Sequence, residues 1–255
     1  SQHEIDLRYT DALTMADNIV TTRLVVKEVA AQHGRYASFM PKPITDQNGS
    51  GMHTHMSLFQ GEKNTFYDAE KPDKLSAMGH SFIAGLLRHA PEFTLLANQW
   101  VNSYKRLTPG FEAPSYIAWA HTNRAHLLRV PAIKEGREET MRVELRSPDV
   151  ACNPYLLFAT LLNAGITGIE NNYAPVPEVE AHVEDLSDEE RNALGIEHLP
   201  GDLYQAIQAA SKSELLRTTL GEHLFDKLLE NKRIEWQRFM AHVTDYEWDR
   251  YLPIL

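Results

Sequence analysis

Residues 51–58 read GMHTHMSL and residues 141–149 read MRVELRSPD. Side chains of an extended segment alternate between its two faces. In the first run Met52, Thr54, Met56 and Leu58 therefore share one face, and His53, His55 and Ser57 share the other. In the second, Val143 and Leu145 oppose Arg142, Glu144 and Arg146. Both runs are predicted as strands with one packed and one polar face. Two readings of the polar face stand side by side. A solvated edge with a ladder of surface ion pairs is common and contributes little to stability. A site is the other reading: imidazole and carboxylate are ligands for a divalent cation, and guanidinium forks suit carboxylate or phosphate. Arg106, Arg124 and Arg129 precede the second run in a chain that is otherwise acidic, with a formal charge of −10.

That charge argues against nucleic acid or an anionic membrane as a partner, since an acidic surface gains no counterion release. The single cysteine, Cys152, excludes an internal disulfide framework and fits a reducing, cytoplasmic setting. No run approaches the roughly 20 apolar residues of a membrane span. At 255 residues, 43% of them apolar, the chain can bury one sizeable core. Residues 4–9 (EIDLRY) alternate like a strand, and Thr10 or Asp11 can cap a helix reaching about Gln32, stopped by Gly34. Residues 36–40 form a β-prone run ended by PKP. Residues 74–96 read as a long helix bent near Pro91, 106–114 as a Pro-Gly loop, and 153–169 as a buried helix. From Asp185 onward the pattern becomes a series of capped, charged helices, so 185–255 is predicted to be mainly helical.

Five strings occur in order: FMPKP, NGSGMHTHMSL, NSYKRLTPGFEAP, NR with a downstream RVP, and MRVELRSPD. GEHLFDKLLENKRIEW and DYEWDRYL follow near the end. Together they resemble the catalytic domain of class I glutamine synthetase from Glu4 to the C-terminus. The resemblance implies an α+β fold, a curved antiparallel sheet with a polar active-site face and helices on the other. It also implies ATP-dependent ligation of ammonia to L-glutamate through γ-glutamyl phosphate, with Mg²⁺ or Mn²⁺. Under it, Glu4 is a ligand of the metal nearer the ammonium site, and His53 and Glu144 are ligands of the metal that bridges nucleotide phosphates. Asn48 and Gly49 contact the amino-acid end of glutamate, and Arg106 takes its α-carboxylate. Glu112 matches the flap residue that helps deprotonate ammonium. Arg124, Arg129 and Arg146 match arginines around the transferring phosphate and the γ-carboxyl. His55, Ser57 and Arg142 match nucleotide-side positions, and Tyr9 an aromatic position near adenine.

Departures from the pattern are informative. Where family members carry a basic residue before the RVE-type strand, this chain reads EGREETMR, so Lys134 or Arg137 has to substitute. AHVEDLSDEER contains no tyrosine, so control by adenylylation is not expected. The family's N-terminal β-grasp domain and its first metal-binding glutamates have no counterpart here. The chain is accordingly expected to be the C-terminal part of a catalytic domain, with little activity in isolation. Family subunits share sites in a double-ring homododecamer, which implies self-association. A γ-glutamyl ligase acting on a polyamine or another amine, and a noncatalytic structural relative, are the alternative functions. Retention of Arg106, Glu144 and Arg146 speaks against the latter.

Overall fold

The computed structural model describes residues 2–110 and 113–255. Helix α1 (Ala12–Gln32) begins where expected, because the Asp11 carboxylate accepts the Thr14 N–H and satisfies one of the orphan amides of the first turn. It ends at Gly34, whose φ of +64° is the left-handed geometry glycine adopts without strain. Strands β1 (Thr54–Met56), β2 (Phe59–Gln60) and β3 (Lys63–Asn64) follow. Helices α2 (Ala77–Ala97, capped by Ser76) and α3 (Val101–Arg106) come next, then strands β4 (Trp119–Ala120), β5 (Leu128–Arg129) and β6 (Val143–Leu145). The rest is helical: α4 (Pro154–Glu170), α5 (Asp188–Ala193), α6 (Leu203–Ser211), α7 (Glu214–Leu220), α8 (Glu222–Met240) and α9 (Asp245–Tyr251).

Four strands form one sheet in the order β1-β6-β5-β4, and β2 and β3 form a separate hairpin. The β1–β6 and β5–β6 pairs are antiparallel, as expected, but β4 and β5 run parallel. Each of those two strands is two residues long, so the connection through 121–127 retraces only about 7 Å, and no crossover helix is needed. Two expected strands are absent. Residues 4–9 and 36–40 have no regular structure and are mostly exposed. Alternation creates a strand only where a neighbour takes up its amides and carbonyls, and no described segment pairs with either run.

The main core lies between the sheet and a helix pair. Phe82, Ile83, Leu86 and Leu87 of α2 and Leu157, Leu161 and Ala164 of α4 pack with Leu128, Val143 and Leu145, and Met52, Met56 and Leu58 close over it. The helices meet backbone to backbone: a Cβ on Gly85 would fall 2.3 Å from the Ala164 carbonyl oxygen, and one on Gly168 would fall 2.2 Å from that of Ser81. Gly165 leaves room for the Phe82 ring. A second cluster joins Leu95, Leu96 and Tyr104 to α6, α7 and α8. With one sheet face filled by this core, the polar side chains of β1, β5 and β6 stand on the other. No helix among the described residues is long and apolar enough to cross a membrane.

Candidate active site

The site is built on a register. His55 lies directly opposite Glu144, and Arg129 lies opposite Glu144 on its other flank, so three neighbouring strands bring their polar residues to one spot. Glu144 is its centre. It is 2% exposed, and it accepts from Arg129 Nη1 at 2.8 Å and from Arg146 Nη1 at 2.5 Å, one guanidinium on each oxygen. His53 Nδ1 lies 3.4 Å from Glu144 Oε1 and 3.5 Å from Arg146 Nη1. His55 Nδ1 accepts from Arg142 Nε at 3.2 Å.

The electrostatics follow from this packing. Burial alone would raise the Glu144 pKa; Arg146, His55, Arg129 and His53 outweigh it and hold the carboxyl below its ordinary range. Burial first, and Arg146 second, depress His53 to about 4. Burial likewise lowers His55. Near neutral pH the face therefore presents one carboxylate, neutral imidazoles and several guanidiniums. Arg129 and Arg146 each keep a buried Nε without a hydrogen-bond partner among the described residues. Such unspent donors are costly unless a ligand accepts from them.

Arg106, at the end of α3, is buried beneath this face. Its Nη1 donates to the Ser147 carbonyl at 2.6 Å and its Nη2 to that of Arg146 at 3.0 Å. Burial lowers its pKa to about 10, with Asp149 opposing. The segment 48–51 lies against it, since a Cβ on Gly51 would fall 2.4 Å from Arg106 Nη2, and one on Gly49 would fall 2.8 Å from its Cγ. The two glycines let the backbone approach the guanidinium.

A family model described as "Glutamine synthetase, catalytic domain" matches residues 1–251. The chain belongs to the glutamine synthetase catalytic-domain family. It is similar to glutamine synthetase of Mycobacterium tuberculosis (strain ATCC 25618 / H37Rv), 53% identical over 99% of this chain and 57% of that protein. For glutamine synthetase of Methanosarcina mazei the figures are 50% identity over 100% of this chain and 56% of the relative. The chain thus spans somewhat over half the length of these curated relatives. Among solved structures, a GmaS/ADP complex superposes with a TM-score of 0.86 at 34% identity, over 96% of this chain and 56% of the other. Plasmodium falciparum glutamine synthetase does so at 0.87 and 26%, over 96% and 55%.

Within this glutamine synthetase domain the sequence-predicted residues divide by position. His53, His55, Arg129, Arg142, Glu144 and Arg146 converge, and Gly49 lies at Arg106. Asn48, Ser57 and Arg124 are exposed on the adjoining loops and strand end. Glu4 and Tyr9 lie in the irregular segment before α1, Tyr9 being 83% exposed. Gln2 ties that segment to the site by donating from Nε2 to the Gly49 carbonyl at 2.7 Å. Glu112 lies outside the described residues. Of the two candidate basic substitutes, Arg137 is engaged by Glu139 at 2.5 Å, and Lys134 is exposed.

Two groupings escaped sequence reading. Asp149 is buried below Arg106 and accepts from Asn98 Nδ2 at 3.2 Å and from the Ala151 N–H at 2.9 Å, and burial raises its pKa. His121, Glu178 and Glu180 bring ligand-type atoms within 4.8 Å of one another. The His121 N–H donates to Glu178 Oε1 at 2.7 Å and to Glu180 Oε1 at 3.1 Å. The EVE spacing at 178–180 was visible, but its histidine partner lies more than fifty positions away.

Proposed function

We propose that this chain, or the longer protein that carries it, is an ATP-dependent glutamate–ammonia ligase acting through γ-glutamyl phosphate. The observation that carries this reading is the pair of buried, unspent Nε donors on Arg129 and Arg146 beside Glu144. Phosphoryl transfer needs alignment and charge neutralisation more than covalent help from the protein. Donors that cost nothing to reorganise suit the equatorial oxygens of a transferring phosphate.

The donor chemistry also fits a divalent cation. His53 is held neutral, so its imidazole lone pair is available, and Glu144 is held ionised 3.4 Å from it. Bound there, Mg²⁺ or Mn²⁺ would neutralise phosphate charge. Glu4 is the candidate for a second cation. In this reading Arg106, Asn48 and Gly49 hold the amino-acid end of glutamate, and Arg124, Arg129 and Arg146 hold the γ-carboxyl and phosphate. His55, Ser57, Arg142 and Tyr9 serve the nucleotide. The ADP in the GmaS complex supports a nucleotide on this fold. Glu112 is proposed to accept a proton from ammonium, leaving ammonia to displace phosphate from the acyl carbon.

The test is phosphate release from ATP with glutamate and Mg²⁺ or Mn²⁺, comparing ammonium with alkylamines, in the longest protein carrying this chain. Ammonium-dependent release is expected, with Arg129→Ala and Arg146→Ala each lowering kcat about 10²- to 10³-fold. Preference for an alkylamine would replace ammonia by that amine as acceptor. No turnover with either, under conditions where the protein is folded, would remove the ligase reading.

A further inference from the structure

A separate cavity of about 180 Å³ lies between the segment leading into β4 and the turn at 183–185. Ser115, His126, His182, Glu184 and Asp185 supply its polar lining, and Tyr116, Ala118, Ala125 and Val183 its apolar walls. Two of its polar groups are buried and unsatisfied. His126 is 2% exposed and Ser115 8%, and neither His126 Nε2 nor Ser115 Oγ has a partner among the described residues. Buried groups of this kind are ordinarily paired, so they point to something that occupies the space.

Their chemistry restricts the occupant. His126 Nε2 in the neutral ring can donate or accept, and Ser115 Oγ can do both, so the charge of the surrounding groups selects the ligand. Glu184 and Asp185 lie on the turn that forms the other wall, and neither side chain is in an ion pair among the described residues. Glu178 and Glu180 lie within Coulombic reach of His126. Arg191, a nearby cation, is engaged by Asp188, by the carbonyls of Val183 and Leu186, and by the Tyr116 ring, whose centroid lies 5.0 Å from the guanidinium carbon. An anion would meet carboxylates here; a cationic donor would be paired by them.

We propose that this cavity binds a small aliphatic diamine, one ammonium donating to His126 Nε2 and Ser115 Oγ, the other facing Glu184 and Asp185, and the methylenes lying along Tyr116, Ala118 and Val183. The volume is about that of six waters at roughly 30 Å³ each, comparable with the six heavy atoms of 1,4-diaminobutane. The site is distinct from the Glu144 face, and the inference stands whether or not the ligase reading does.

The experiment titrates 1,4-diaminobutane, butylamine and succinate into the full chain, following the His126 ring nitrogens by NMR and the heat of binding by calorimetry. The diamine is expected to shift the His126 Nε2 resonance saturably, butylamine to bind more weakly, and succinate to leave it unmoved. A Glu184→Gln, Asp185→Asn double variant, altered only at the turn, is expected to weaken the diamine at least about tenfold with unchanged thermal unfolding. An unmoved resonance at about 10 mM diamine, which is weaker than useful recognition, would leave only a hydrated void and overturn the proposal. Undiminished binding by the double variant would overturn it too.

Discussion

At the scale of the residue, Glu144 and His53 show how one packed face sets protonation. The His53 imidazole, about one-third exposed, takes up a proton near pH 6.5 when unfolded but only near 4 in the folded chain. Between those values the unfolded state binds the extra proton, so stability falls as pH drops from 6.5 towards 4. Glu144 acts in the same direction: its lowered pKa contributes stability above about pH 4.5, lost as pH falls through the folded value. Urea midpoints between pH 7 and 4 are expected to decline, and His53→Asn to flatten the upper part of that decline. A slope unchanged by the variant would show that another group carries the proton linkage. Both strands' alternation was legible in the sequence, down to which residues face away from the core. The pairing of Glu144 with two arginines was not, because Arg129 sits on a different strand and reaches Glu144 only through the register.

At the scale of the element, the α2–α4 crossing supports the sheet that carries the site. Close backbone approach at Gly85 and Gly168 lets Phe82 and Leu86 reach the strands. Gly168→Ala would place a methyl 2.2 Å from the Ser81 carbonyl oxygen and 2.8 Å from the Gly85 Cα, both backbone atoms. Loss of about 3 kcal/mol in denaturant unfolding is expected. Gly61→Ala, with φ of +63° and open space around it, is the control and should cost about 1 kcal/mol. Equal losses in the two variants would mean that the crossing tolerates separation. The helices α1, α2 and α4 could be read from periodicity, and the start of α1 also from its Asp11 cap; the Ser76 and Asn153 caps, which accept first-turn amides of α2 and α4, came from the structure. The strands predicted at 4–9 and 36–40 could not be decided that way, because strand formation depends on a partner that local pattern does not specify.

At the scale of the whole molecule, the segment 48–51, the end of α3 and the segment after β6 meet at Arg106. Gly51→Ala would press on Arg106 Nη2 at 2.4 Å and disturb its bonds to the Arg146 and Ser147 carbonyls. If Arg106 holds the α-carboxylate, the KM for glutamate is expected to rise about tenfold or more, with a smaller change in kcat. A pure kcat effect would place Arg106 elsewhere in the reaction. Apolar side chains are exposed at both ends of the chain. Leu13, Val20, Leu24, Val25 and Val29 line α1, and Tyr246, Trp248, Leu252 and Ile254 lie in or beyond α9. Large apolar side chains exposed in this number favour association. Sedimentation of the chain is expected to show mass rising with concentration, and Leu24→Glu with Val25→Glu to lower it. A monomer at all concentrations would count against the assembly expected from the family resemblance.

The sequence by itself determined the composition class, the helix caps, the two-faced strands and the ordered strings that tie the chain to its family. These are local or linear properties, set by side-chain periodicity, capping chemistry and motif order. Only the tertiary structure decided that His55 and Arg129 flank Glu144, that Arg106 lies buried over Asp149, that β4 and β5 run parallel, and that His126 and Ser115 share a cavity. Each of these joins residues many positions apart. Their meeting depends on strand register and on the glycine-lined contact between α2 and α4, which no short window of sequence contains.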